Sequence, residues 1–249
     1  MYSDSHTHLA SWPAEQVPGL IKQAEAKGLV VIQTWGENLD SSAVGINLAE
    51  KNKAVYAGVG IHPWNAIQPT EDIRKRFEEL AGKKRVVAIG EVGLDYVKNP
   101  NNRDVQQAVL KYQAEFARIK GLPVDVHTRE AHEDMMAILR PQVKSGLKGI
   151  SHGFTGDVAM LKDWLNLDFY ISIGVRGFVT SELPYMVEVV KQIPADRILA
   201  ETDNGFTAEH PGLTGVIAVV EKMAKVRGST PDEIGALTTA NLKRILKIA

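Results

Sequence analysis

Met1-Tyr2-Ser3-Asp4-Ser5-His6-Thr7-His8 opens the chain with a short run whose alternation suits a β-strand. Successive side chains on a strand point to opposite faces, so His6 and His8, two apart, project from the same one. Comparable strand-like runs recur at Leu29 to Thr34, Val55 to Ile61, Val86 to Glu91 and Leu122 to His127, then at Gly149 to His152, Phe169 to Gly174 and Ile198 to Glu201. Helix-like stretches lie between them, among them Ala14 to Lys27, Thr70 to Ala81, Arg103 to Lys120 and Glu130 to Leu139. Others are Ala159 to Leu165, Leu183 to Gln192 and Thr214 to Val226. Thr70-Glu71-Asp72 and Ser229-Thr230-Pro231-Asp232-Glu233 carry helix-start signals, the second opening a last helix to about Lys247.

Strand then helix, eight times, is the pattern of a parallel sheet with helical crossovers. It predicts an α/β protein, a single (β/α)8 TIM barrel spanning residues 1–249 with an additional C-terminal helix. The length of 249 residues matches one such barrel. An open doubly wound sheet is the competing architecture, and the strand number favours closure. No low-complexity stretch or linker divides the chain.

Hydrophobic residues make up 44% and charged residues 24%, with a formal net charge of −1. These are ordinary values for a globular chain. A protein that holds nucleic acid along an extended surface usually shows a basic balance, which this chain lacks, so any polyanion is expected to be met locally, at a site. The absence of cysteine excludes disulfides, thiolate catalysis and sulfur-ligated zinc. The N-terminus lacks the pattern of a secretory signal, and no apolar run reaches the roughly 18 residues of a membrane span. The expectation is a cytoplasmic protein with no membrane contact, plausibly a monomer.

Five of the seven histidines fall at or just beyond the inferred C-terminal strand ends: His6, His8, His62, His127 and His152. TIM barrels keep their chemistry on that face. Two imidazoles of a His-x-His pair aimed into one cavity make a metal clamp, and nitrogen and oxygen donors together suit zinc, manganese or magnesium. Glu91 and Asp203 each follow an apolar run, where an unpaired charge is costly and a metal offsets the cost. The candidate ligands are therefore His6, His8, Glu91, His127, His152 and Asp203. A salt bridge from Glu91 to Arg129 or Lys98, and a helix N-cap role for Asp203, are the alternatives.

Asp4-Ser5-His6-Thr7-His8, Gly60-Ile61-His62-Pro63, Gly90-Glu91-Val92-Gly93-Leu94-Asp95, Val126-His127-Thr128-Arg129, His152-Gly153-Phe154 and Glu201-Thr202-Asp203 occur in that order, with Asn241-Leu242-Lys243-Arg244 near the end. With these motifs the chain resembles the TatD family of metal-dependent hydrolases, within the amidohydrolase superfamily, over nearly its whole length. The resemblance implies two divalent cations, one held by His6, His8 and Asp203, a second by His127 and His152, with Glu91 bridging. It also implies a deoxyribonuclease of the 3′-5′ exonuclease type, acting on the phosphodiesters of single-stranded DNA or of 3′ ends. Asp203 and Glu91 are then the catalytic carboxylates, and Asp203 is placed to take the proton of the attacking water.

Substrate contacts are expected from His62, Arg129, Phe154 and Arg176, with Lys98 behind them and Trp64 and Tyr96 as further stacking aromatics. His62 could instead stabilise the turn before Pro63, Arg129 could pair Glu91 or Asp95, and the aromatics could be plain packing. The chain departs from the family's pattern after Asp203: Asn204-Gly205-Phe206-Thr207-Ala208-Glu209 has no closely following proline and carries an acid. That departure keeps open a hydrolase of another ester, an amide or a lactone, such as an aminoacyl ester. A non-catalytic barrel subunit is the third reading.

Overall fold

The computed structural model describes residues 1–181, 183–205 and 212–249. Its eight strands are β1 (Tyr2–Thr7), β2 (Leu29–Thr34), β3 (Val55–Val59), β4 (Val86–Asp95), β5 (Val124–Arg129), β6 (Gly149–Ser151), β7 (Tyr170–Gly174) and β8 (Ile198–Glu201). They pair in parallel and in sequence order, β1 to β8. Helices α1 (Val17–Ala26), α2 (Leu39–Lys51), α3 (Glu71–Ala81), α4 (Arg103–Lys120), α5 (His132–Lys144), α6 (Val158–Asn166) and α7 (Met186–Gln192) form the crossovers. After β8 come α8 (Val216–Arg227) and α9 (Pro231–Leu246). This is the expected TIM barrel with its extra terminal helix, and among the described residues no helix is long and apolar enough to cross a membrane.

Local chemistry sets the helix ends. Thr230 and Glu233 form a capping box before α9 with Pro231 in the first turn, each satisfying a donor that the helix start leaves unpaired. Helix α2, which the sequence reading did not single out, begins with the same device, Asn38 accepting from Ser41 and Ser41 from Asn38.

Three elements differ from their expected bounds in ways that matter for the site. Strand β4 runs past Glu91 to Asp95, and β5 past His127 to Arg129. The expected strand ended at Glu91, but the β4–β5 ladder shifts register between Ile89 and Val92 and then continues. Gly93 pairs with His127 so closely that a Cβ there would stand 1.9 Å from the His127 carbonyl oxygen. Strand β3 stops at Val59, leaving His62 on the following loop.

The barrel seam between β8 and β1 is closed by a short set of bonds. His8 N–H donates to Asn204 O (2.8 Å) and Asp203 N–H to His6 O (2.9 Å). Asp4, fully buried, supplies its carboxylate to the Thr202 N–H at 2.9 Å and the Thr202 hydroxyl at 2.6 Å. Burial raises the Asp4 pKa to about 7 against the opposing pull of those two bonds.

Inside the barrel Trp35 lies beneath the histidines, donating its indole N–H to Ser5 O at 2.9 Å and stacking on the His6 ring at 5.6 Å. Gly58 and Gly90 make room for it: a Cβ on Gly58 would fall 2.0 Å from Trp35 Cε3, and one on Gly90 2.8 Å from Cζ3. Gly58→Ala is therefore expected to cost about 1–3 kcal/mol by overpacking. Thermal unfolding checks this, since a chain of this size loses about 2–4 °C for each kcal/mol. An unchanged melting temperature would show that Trp35 has slack.

Candidate metal centre

The C-terminal barrel mouth gathers five imidazoles around one carboxylate. Glu91, 2% exposed, turns Oε2 towards His6 Nε2 (3.3 Å) and His8 Nε2 (3.2 Å). Its Oε1 faces His152 Nε2 (2.9 Å), His127 Nδ1 (3.1 Å) and His62 Nε2 (3.1 Å). Asp203 Oδ1 stands 3.6 Å from His8 Nε2 and 3.9 Å from His6 Nε2. All six residues named as ligands from the sequence thus meet in one place. Glu91 has no contact with Arg129 or Lys98 among its ion pairs, and Asp203 sits in the left-handed region (φ 52°) rather than at a helix N-cap.

Most of the imidazoles are fixed from behind. His6 Nδ1 bonds Asp125 Oδ1 at 2.9 Å and His127 Nε2 bonds Asp95 Oδ2 at 3.2 Å. His152 Nδ1 lies 3.5 Å from Glu201 Oε1. A ring that donates from its rear nitrogen presents a lone pair from the other, and here those lone pairs converge on each other and on carboxylate oxygens. His6 and His8 even set their Nε2 atoms 3.1 Å apart. Such a set repels itself unless a positive species lies between. Donors bound to one ion at 2.0–2.2 Å stand roughly 3–3.5 Å from each other, so the spacing and chemistry fit a divalent cation. His6, His8 and Asp203 have ligand atoms within 4.8 Å of one another, as do His62, Glu91 and His127, and His6, Asp125 and His152.

His62 differs from the rest. Its Nδ1 accepts the Trp64 N–H at 3.1 Å, which leaves the proton on Nε2, facing Glu91. Burial lowers its pKa despite the nearby Glu91, so the ring stays neutral, a donor to the carboxylate rather than a ligand. Burial also opposes protonation of His6, His8, His127 and His152, yet the surrounding carboxylates win and raise all four, His6 to about 9. Glu91 and Asp203 are correspondingly held low by the imidazoles, against burial.

A cleft of about 620 Å³ opens over this centre, and Arg129, Arg176 and Lys98 line it. Arg129 and Arg176 are exposed and make no ion pair among the described residues; Arg129 meets neither Glu91 nor Asp95. Lys98 Nζ sits 3.4 Å over the Trp64 ring, whose indole N–H donates to Asp95. Phe154 lies apart from this cleft, in an adjoining cavity of about 500 Å³ that shares Arg129 and His152 with it. Tyr96 lines that second cavity too, its hydroxyl bonded to Asp134 at 2.6 Å. Of the divergent stretch after Asp203, Asn204 closes the seam and Gly205 lines the cleft, whereas Phe206 to Glu209 lie outside the described residues.

A family model described as TatD related DNase matches residues 3–247. The chain belongs to that family. The protein named "Uncharacterized metal-dependent hydrolase YabD" of Bacillus subtilis (strain 168) is 34% identical over 256 residues, covering all of both chains. "3'-5' ssDNA/RNA exonuclease TatD" of Pantoea sp. (strain At-9b) is 31% identical, covering 94% of each. Among solved structures, the TatD homolog YJJV of Escherichia coli K12 superposes with a TM-score of 0.89 at 22% identity, covering 100% of this chain and 98% of that one. The family match spans nearly the whole chain, and the barrel is the fold that the solved homolog shares.

The sequence reading did not find the backing carboxylates Asp125 and Glu201, and it weighed Asp95 only as an arginine partner. A signal was present: Asp125 precedes His127 by two, and Glu201 precedes Asp203 by two, the spacing that keeps strand side chains on one face.

Asp125→Asn is expected to weaken metal binding about 10- to 100-fold with the fold intact, because the His6 ring loses its charged support. A chelator-competition titration measures it, and an unchanged affinity would reduce Asp125 to packing. The metal-free protein should also respond to pH. His6 is raised from 6.5 to about 9, so its contribution is complete below pH 6.5 and is lost as pH rises through 9. Asp4, raised from 3.8 to about 7, has the same sign in a lower window, its contribution being lost between pH 3.8 and 7. The urea midpoint of the stripped protein should therefore fall between pH 6.5 and 9, and added metal, replacing those protons, should remove the fall.

Proposed function

We propose that this metal-dependent hydrolase removes nucleotides from the 3′ end of single-stranded DNA, using two divalent cations. His6, His8 and Asp203 would hold one, His127 and His152 the other, with Glu91 between them; the mixed nitrogen and oxygen donors suit zinc, manganese or magnesium. The observation that carries this reading is the division of Glu91, one oxygen towards His6 and His8, the other towards His127 and His152. Relatives named as 3'-5' ssDNA/RNA exonucleases support the choice of substrate.

When bound, the cations supply Lewis acidity that draws the pKa of a water towards neutrality and offsets charge on the attacking and leaving oxygens. Asp203 would take the proton of the attacking water. Its carboxylate is unprotonated at neutral pH, and one-third of its side chain is open to the cleft (34% exposed). Proton transfer of this kind contributes typically 10²–10⁴-fold, so positioning and electrostatics do the larger part. Arg129 and Arg176, without a carboxylate partner among the described residues, clamp the phosphate oxygens with their planar forks. His62 holds Glu91 through its Nε2–H and faces the scissile group from the same side. The terminal base passes towards the adjoining cavity, whose wall includes Phe154 and Tyr96. A chain of net charge −1 has no need of a basic face for this, because only the last few phosphates are held.

The test uses protein stripped of metal and reloaded with manganese, magnesium or zinc, offered 5′-labelled single-stranded DNA. Stepwise shortening from the 3′ end is expected, blocked by a 3′-terminal phosphorothioate. Asp203→Asn should lower kcat at least about 100-fold with circular dichroism unchanged. Full activity in that variant would remove Asp203 from the proton transfer, and an intact strand with every metal would sink the nuclease reading.

A further inference from the structure

The opposite mouth of the barrel holds a second concentration of charge. Beside the N-terminal ends of β5 to β8 and the end of α9 lies a cavity of about 220 Å³. Arg118, Lys148, Arg197, Arg244 and Lys247 line it, and Asp168 is the lining carboxylate. Lys148 and Arg197 both pair with that one acid. Arg197 also meets Asp196, and Arg118 the exposed Glu115 at 3.8 Å. Arg244 and Lys247 donate to neutral oxygens, Asn241 Oδ1 (2.9 Å) and Gly121 O (2.7 Å), and meet no carboxylate among the described residues. Five cations thus stand against three carboxylates in a chain whose net charge is −1.

Two further features hold this excess in place. The Asn241-Leu242-Lys243-Arg244 motif has no part in the metal centre. Asn241, fully buried, donates from Nδ2 to Ala195 O (2.8 Å) and Ile198 O (2.9 Å), fixing α9 to the start of β8, and its Oδ1 orients the Arg244 guanidinium. The helix ends differ in kind as well. Left-handed residues follow α4 and α8 as Gly121 (φ 66°) and Gly228 (φ 65°), the residue that adopts this conformation without strain. After α6 and α9 the same conformation is taken by Asp168 (φ 57°) and Lys247 (φ 54°), and both line this cavity.

We infer that this cavity binds a small phosphate-bearing anion, with Arg244 and Lys247 as the cations that complete its coordination. Guanidinium and ammonium donors converging on one concavity match a phosphoryl group, which accepts several charge-assisted bonds at once. A nucleic-acid strand is met by cations spread along a track, not gathered at one hollow of this size. The phosphoryl group has two sources, inorganic phosphate and a nucleoside monophosphate.

Calorimetric titration of the metal-loaded protein with inorganic phosphate, and separately with adenosine 5′-monophosphate, tests the inference at low ionic strength. Because a phosphate is also drawn to the metal centre, the titration is repeated on Asp203→Asn and on Arg244→Gln/Lys247→Gln. Binding is expected to survive in Asp203→Asn and to weaken at least about tenfold in the double variant, with uncharged adenosine giving no heat. Tighter binding of the nucleotide than of phosphate identifies a nucleotide site, and equal binding a phosphoryl site; both support the inference. Lys148→Gln, whose side chain is 55% exposed, provides a variant that leaves the packing alone, and it should weaken binding in the same direction. Unchanged phosphate affinity in these variants, or loss of binding in Asp203→Asn, would overturn it.

Discussion

A carboxylate taken out of water must find positive charge or give up its own, and Glu91 is almost wholly buried among five imidazoles. That constraint organises the barrel mouth. The imidazoles cannot all carry protons at close range without repelling one another, and they cannot all be neutral without leaving Glu91 uncompensated. The chain resolves the conflict with a second ring of carboxylates, Asp125, Asp95 and Glu201, behind the histidines. Positive charge is therefore wanted at the centre itself, carried by protons on the imidazoles of the metal-free protein and supplied by a cation when one is bound.

The same demand explains why the seam is built as it is. Asp203 must reach the space beside His6 and His8, so the chain after β8 has to run against β1. Backbone bonds to His6 and His8 hold it there, and Asp4 adds two bonds to Thr202 where regular ladder pairing is absent. Closing the barrel and seating Asp203 are thus one event, and the left-handed Asp203 backbone marks the turn that achieves both.

Much of this was legible beforehand, for identifiable reasons. Strand runs such as Leu29–Thr34 and Ile198–Glu201 were read with their observed bounds because β-branched stretches between helical segments admit one period only. Glu91 and the five residues around it were legible because imidazoles and acids beside apolar runs have few bland explanations. What escaped was set by three-dimensional pairing. The continuation of β4 through Gly90 and Gly93 depends on a register shift against β5, which no local pattern announces. Trp35 carried no signal in the sequence, and only the glycines on β3 and β4 place it under His6. Phe154 read as part of the same site as Arg176, but the turn after β6 carries it into the neighbouring cavity.

The two barrel mouths show opposite solutions to one electrostatic problem. At the C-terminal mouth acids outnumber fixed cations, and the missing charge is positive; at the N-terminal mouth cations outnumber acids, and the missing charge is negative. Inside the barrel between them lie apolar side chains such as Val31, Trp35, Ala88, Ile150 and Leu199, which keep the two fields apart in a medium that screens them weakly. A chain with an overall charge near zero can carry both excesses because each is local. Net charge therefore reports little about what such a barrel binds, whereas the imbalance at each mouth reports the sign of its ligand.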